Sequence, residues 1–113
     1  MSPVTYHILL TLADRDRHGY GIKKAVLTQS DGTIRLGPGT LYAAIRRLER
    51  DGWIEESDWR PDPALDDERR RYYGLTKRGL GVLTAETERL RATVKLAELR
   101  LELPPLADGW VAP

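Results

Sequence analysis

The residues best placed to do chemistry are Tyr42, Arg46 and Arg50, four apart in the stretch Leu36 to Trp53, with Gly39 and Thr40 just ahead of them. An arginine can address guanine bidentately or hold a phosphate, and a tyrosine hydroxyl can donate to a phosphate. Gly39 and Thr40 keep the start of that stretch small, so unpaired backbone N–H groups there could approach an anion. A second set of cations, Arg69, Arg70, Arg71, Lys77 and Arg78, contains no acid, whereas acidic residues gather between Glu55 and Glu68. Both sets suit binding to a phosphate backbone, and neither suits bond breaking. Asp62, Asp66, Asp67 and Glu68 are the only dense carboxylates. Their spacing lacks the glycine and distant glutamate of a calcium loop, and no nucleophile or base accompanies them. His18 has no partner that would make it a general base, and a turn or capping role is expected for it. The chain is therefore read as a binding protein and not an enzyme.

Those side chains need a scaffold. Leu41, Ile45 and Leu48 recur at helical spacing opposite Tyr42, Arg46 and Arg50, which predicts an amphipathic helix with one stripe buried and one free. Pro38 fits its first position and Gly52 its left-handed terminator. Ahead of it, Val4 to Ala13, opened by Pro3, predicts a first helix buried on more than one face. After a polar Asp14 to Arg17 link, His18-Gly19-Tyr20-Gly21 supplies turn chemistry and a second helix is expected from about Gly21 to Gln29. Ser30-Asp31-Gly32 closes that helix, and Thr33 to Leu36 is expected to be briefly extended. Beyond Gly52, Trp53 to Ser57 and Arg69 to Leu75 are strand candidates joined by a polar loop. A helical triplet followed by a hairpin makes a winged helix-turn-helix: a mainly α fold with a small β-hairpin.

Thr76 is a good N-cap for a last helix running from Lys77 to about Leu103, where Pro104-Pro105 stops it. Leu80, Leu83, Thr87, Leu90, Val94, Ala97 and Leu101 alternate by three and four, the pattern of helices that lie side by side. Leu96, Leu99 and Leu103 add more apolar surface than a three-helix core can cover. A homodimer built on this helix is expected, with Leu90, Val94, Ala97 and Leu101 at its interface. The organisation expected is a DNA-binding winged helix over residues 1–76 and a dimerisation helix with a tail over 77–113. Ala107 to Pro113 has no periodicity, and Trp110 within it could tuck into an interface.

Composition narrows the classes further. In 113 residues there is no cysteine and only His7 and His18, so thiol chemistry, a histidine-rich metal site and a resident cofactor are not expected. No apolar run approaches membrane-spanning length and no export signal is visible, which predicts a cytoplasmic protein without membrane contact. The net charge of +1 argues against bulk coating of nucleic acid and directs attention to where the charges sit.

Four segments in order, His18 to Ile22, Leu36 to Tyr42, Leu48 to Ile54 and Arg70 to Gly79, resemble the PadR family of bacterial transcriptional regulators over nearly the whole chain. The single C-terminal helix is similar to the short subfamily, in which that helix forms the dimer. The resemblance implies a repressor of detoxification, efflux or stress genes, acting on double-stranded DNA and relieved by an effector. That effector would be a small hydrophobic or aromatic molecule held between the two last helices. It also implies that Thr40, Tyr42 and Arg46 face the major groove or its phosphates, and that Arg70 and Arg71 hold the wing to the backbone. A twofold dimer predicts an inverted-repeat operator. Two features depart from the family pattern: Gly37 stands where serine is common, and the Asp58 to Glu68 loop is longer and more acidic than the usual glycine-rich wing tip, so its tip is expected to avoid DNA. The rival function is a winged helix used for protein contacts without DNA, since the fold alone does not dictate the partner.

Overall fold

A computed structural model describes residues 1–59 and 70–104. The first helix, α1 (Pro3–Asp14), starts at Ser2, whose hydroxyl accepts from the Thr5 N–H, and buries Thr5, Ile8, Leu9, Thr11 and Leu12. A two-residue strand, β1 (Arg17–His18), and α2 (Gly19–Gln29) follow. The polar link and turn expected here are instead a strand end and a helical first turn. The His18 side chain accepts from the Gly21 N–H at 3.0 Å, which moves the start of α2 two residues ahead of Gly21. Thr33 to Leu36 pairs with no strand. The Ser30 hydroxyl takes the Ile34 N–H at 3.0 Å and the Thr33 hydroxyl donates to the Ser30 carbonyl, so this linker folds over the end of α2.

Helix α3 (Pro38–Arg50) has Gly37 as its N-cap and buries Leu41, Ala44, Ile45 and Leu48. Gly52 follows it with φ +75°, a conformation that glycine adopts without Cβ strain. Strands β2 (Ile54–Ser57) and β3 (Tyr72–Leu75) come next. β3 lies at the centre of a three-stranded antiparallel sheet in the order β1-β3-β2, with His18 and Ser57 both opposite Tyr72. The expected hairpin has thus gained an edge strand, and its second strand begins at Tyr72. Residues 60–68 of the acidic loop, Arg69, and the tail with Trp110 lie outside the described residues.

Thr76 caps α4 (Lys77–Arg100), accepting from the Gly79 N–H at 3.0 Å while donating to the Gly52 carbonyl at 2.6 Å. α4 stops at Arg100, three residues short of the expected Leu103, because Glu102 turns left-handed at φ +54° before Pro104. The helix splits in two. Its first half lies on α1, where Leu83 joins the core of Ile8, Leu9, Ile22, Val26, Ile45, Leu48 and Ile54. Thr87 donates to the Leu83 carbonyl at 2.8 Å, which leaves its oxygen to accept from the Tyr6 hydroxyl at 2.6 Å. The second half stands clear: Val94, Leu96, Leu99, Leu101 and Leu103 are all exposed. A compact chain of this size would have a radius of gyration of about 13 Å. The observed 16.3 Å, with a long axis of 53 Å, reflects this free half.

Glu86 is buried on α4 and accepts from Arg89, whose guanidinium holds its carboxyl below the usual value near 4.5. A depressed carboxyl contributes stability above the unfolded value that disappears as pH falls through the folded one. Glu86→Gln should therefore unfold at lower urea than wild type near neutrality, with the gap closing as pH drops below about 4.5. Urea midpoints across that range check this, and a gap that does not change with pH would refute it.

Candidate nucleic-acid interface

The first turn of α3 is open. Gly37 offers no side-chain cap, Pro38 has no N–H, and residues 37 to 40 are all exposed. The Gly39 and Thr40 N–H groups lie where an α-helix provides no internal acceptor, and nothing stands within 4 Å of where a Cβ on Gly39 would be. Along the helix, Tyr42, Arg46 and Arg50 are exposed on the face opposite the buried leucines, as their spacing predicted. Arg47 is diverted from that face, donating to the Thr5 hydroxyl at 3.2 Å and tying α3 to α1. Arg46 makes no hydrogen bond or ion pair among the described residues.

The Tyr42 ring leans over the start of α2. A Cβ added to Gly19 would sit 2.8 Å from the Tyr42 hydroxyl, so only glycine admits the ring there. A cleft of about 360 Å³ opens at this junction, lined by His18, Gly19, Tyr20, Tyr42, Arg70, Arg71 and Tyr73. It gathers Tyr42 with Arg70 and Arg71, three residues predicted to bind DNA. Gly39, Thr40 and Arg46 lie elsewhere along α3. Arg70 is 3.3 Å from the outer nitrogen of His18, and the His18 ring meets Tyr72 edge-on at 5.2 Å between centroids. His18 is thus a cap and a spacer at the wing base.

A neighbouring groove of about 700 Å³ runs along α2 and carries Arg17, Lys24, Thr28, Gln29 and Arg70, with the Lys24 ammonium 5.6 Å from the centre of the Tyr20 ring. Lys23 and Arg35 flank a third cleft beside Gly37, at the start of α3. Sequence reasoning missed these cations and Gly19, Tyr20 and Tyr73. The Lys23-Lys24 pair directly after His18-Gly19-Tyr20-Gly21-Ile22 was the available signal, a basic turn on a short amphipathic helix.

Tyr73 is 6% exposed. Burial, reinforced by the nearby Glu49 charge, pushes its phenol above the usual range, so it stays protonated at neutral pH. The cleft lining thus combines tyrosine hydroxyls with the guanidiniums of Arg70 and Arg71. Among the described residues no cluster of metal-ligating side chains occurs, and no helix is long and apolar enough to cross a membrane.

The sequence model of the Transcriptional regulator PadR-like family matches residues 8–85. The chain is similar to Transcriptional regulator Rv3488 of Mycobacterium tuberculosis, with 39% identity over 89 residues, 77% of this chain and 75% of the relative. Among solved structures it resembles a transcriptional regulator from Clostridium thermocellum, with 30% identity and a TM-score of 0.67 over 84% of this chain and 86% of the other. It also resembles a PadR family transcription regulator from Clostridium difficile R20291, with 26% identity and a TM-score of 0.71 over 88% and 99%. With the family matched from α1 into α4 and the four-helix, three-strand architecture shared, the chain belongs to the PadR-like family of transcriptional regulators.

Proposed function

We propose that this regulator is a cytoplasmic, sequence-specific repressor that binds an inverted-repeat operator as a homodimer. The observation that carries the reading is the free Tyr42-Arg46-Arg50 face of α3, continued through Tyr42 into a cleft edged by Arg70 and Arg71. Residues 1–76 would make the DNA contacts and 77–113 would make the dimer. Within the site, Gly39 and Thr40 offer backbone donors to a phosphate, Arg46 reaches a base edge, and Arg70 and Arg71 attract the backbone irrespective of sequence. The exposed half of α4 supports self-association. Val94 and Leu101 are 53% and 66% exposed, Ala97 is exposed and Leu90 half-buried. A depression of about 510 Å³ on this helix, lined by Arg91, Val94, Lys95, Glu98, Leu99 and Leu103, fits both a partner helix and a small hydrophobic effector. Half-sites should lie about 10 base pairs apart, or a multiple of that.

A mobility-shift assay with DNA flanking its own coding region tests the reading, with Arg46→Ala and Arg71→Ala as paired probes. Arg46→Ala should weaken operator binding by roughly 1 to 3 kcal/mol and relax preference at one position per half-site. Arg71→Ala should weaken all sequences alike and flatten the dependence of affinity on salt, because fewer counterions are released. If Arg46→Ala keeps wild-type affinity and preference while folded, α3 does not read bases and a protein-contact role takes its place.

A further inference from the structure

Tyr73 joins the hydrophobic core to the cleft at the start of α2. Its ring belongs to the hydrophobic core and it is 6% exposed, yet among the described residues its hydroxyl has no hydrogen-bond partner. A hydroxyl carried on a core ring and left without a protein partner is available to a group that enters the cleft beside it. Tyr73 lines the cleft that Tyr42, Gly19 and Arg71 also line. Arg71 lies one residue ahead of β3 and two before Tyr73.

The geometry points to a phosphate seat in this cleft, in which the Tyr73 hydroxyl, together with Tyr42 and Arg71, donates to one backbone phosphate of DNA. The assignment rests on the DNA-binding reading and adds to it a buried residue of β3. Its ligand follows from the donors. Two phenol hydroxyls and a guanidinium line the cleft, beside the Gly19 and Tyr20 backbone at the start of α2, and an oxyanion can accept from all of these donors. Glu49 and Glu56, whose charges reach Tyr73, do not line the cleft. Glycine at position 19 leaves room for Tyr42 beside the helix start, and the space of about 360 Å³ admits a phosphate group. Because α2, α3 and β3 each contribute, a phosphate bound here would register the wing base against the recognition helix.

Tyr73→Phe removes only the oxygen. The full-length variant should bind operator and unrelated duplex about tenfold more weakly, by the same factor for both, since a hydrogen bond to a charged group is lost. Its salt dependence should match wild type, because a neutral donor releases no counterion, which separates it from Arg71→Ala. Its urea midpoint should not fall, since no intramolecular partner is deserted. Wild-type affinity in Tyr73→Phe, a loss confined to operator, or a lowered midpoint would each overturn the seat. Inorganic phosphate gives a test independent of DNA: millimolar phosphate should shift the Tyr42 and Tyr73 ring signals in the NMR spectrum, and no shift would overturn the seat. If wild type binds no duplex, the DNA reading fails on its own, and the phosphate titration still decides whether an anion sits here.

Discussion

Val94→Glu should convert the protein to a monomer and, through that change, cost far more DNA affinity than any single groove contact. Val94 is 53% exposed on the free half of α4, beside Leu99 and Leu103 in the same apolar depression. If that face closes against its twofold mate, each dimer carries two copies of the change. An uncompensated buried charge costs roughly 3 to 5 kcal/mol, so the dimer dissociation constant should rise by about three orders of magnitude or more. Losing the second half-site then removes an avidity of roughly 10² to 10⁴. Light scattering at micromolar concentration, with a shift assay on the same samples, gives the result. A variant as dimeric as wild type would mean that this face does not join the protomers.

Gly79→Ala should produce the largest loss of stability of any one-carbon change. A Cβ at position 79 would lie 1.9 Å from the Trp53 carbonyl oxygen, inside any permitted contact, and the obstacle is backbone that cannot swing away as a side chain could. Either α4 lifts away from Trp53 or the Gly52-Trp53 turn shifts. The first outcome breaks the Thr76 cap, and the second disturbs the end of α3. Overpacking of this kind costs about 1 to 3 kcal/mol, and a clash with backbone belongs at or above the top of that range. A small domain has about 5 to 15 kcal/mol in total, so the thermal midpoint should drop by many degrees. Calorimetry that finds it within a degree or so of wild type would show that α4 is not seated as described.

The three helices, the last helix and the fold class were legible because their signals are local. Leu41, Ile45 and Leu48 announce a buried stripe by spacing alone, and Pro38, Gly52 and Thr76 mark boundaries through their own backbone chemistry. β1 was not legible: two residues, Arg17 and His18, cannot show an alternation, and they are a strand only because β3 offers an edge. The seam on α4 divides within the chain. Leu83 joins the domain's core while Leu80, on the same line, is 52% exposed. At the candidate interface, the α3 face could be read from periodicity. The places of Gly19 and Tyr73 could not, because their meaning arises where α2, α3 and β3 converge, and no spacing within one segment records that.

The double bond-making of Thr76 has a mechanical consequence. Its hydroxyl grips a carbonyl just past the end of α3 and, at the same time, the first turn of α4. The two helices therefore share a fixed joint, and α4, at 24 residues, is a rigid arm of about 36 Å with that joint at one end. If the far ends of two such arms meet across a twofold axis, a swing of about 5° at their crossing carries each joint, and α3 with it, by about 3 Å, close to the rise of one nucleotide along DNA. A small wedge near Leu99 would then throw both recognition helices out of step with a fixed operator without touching either of them.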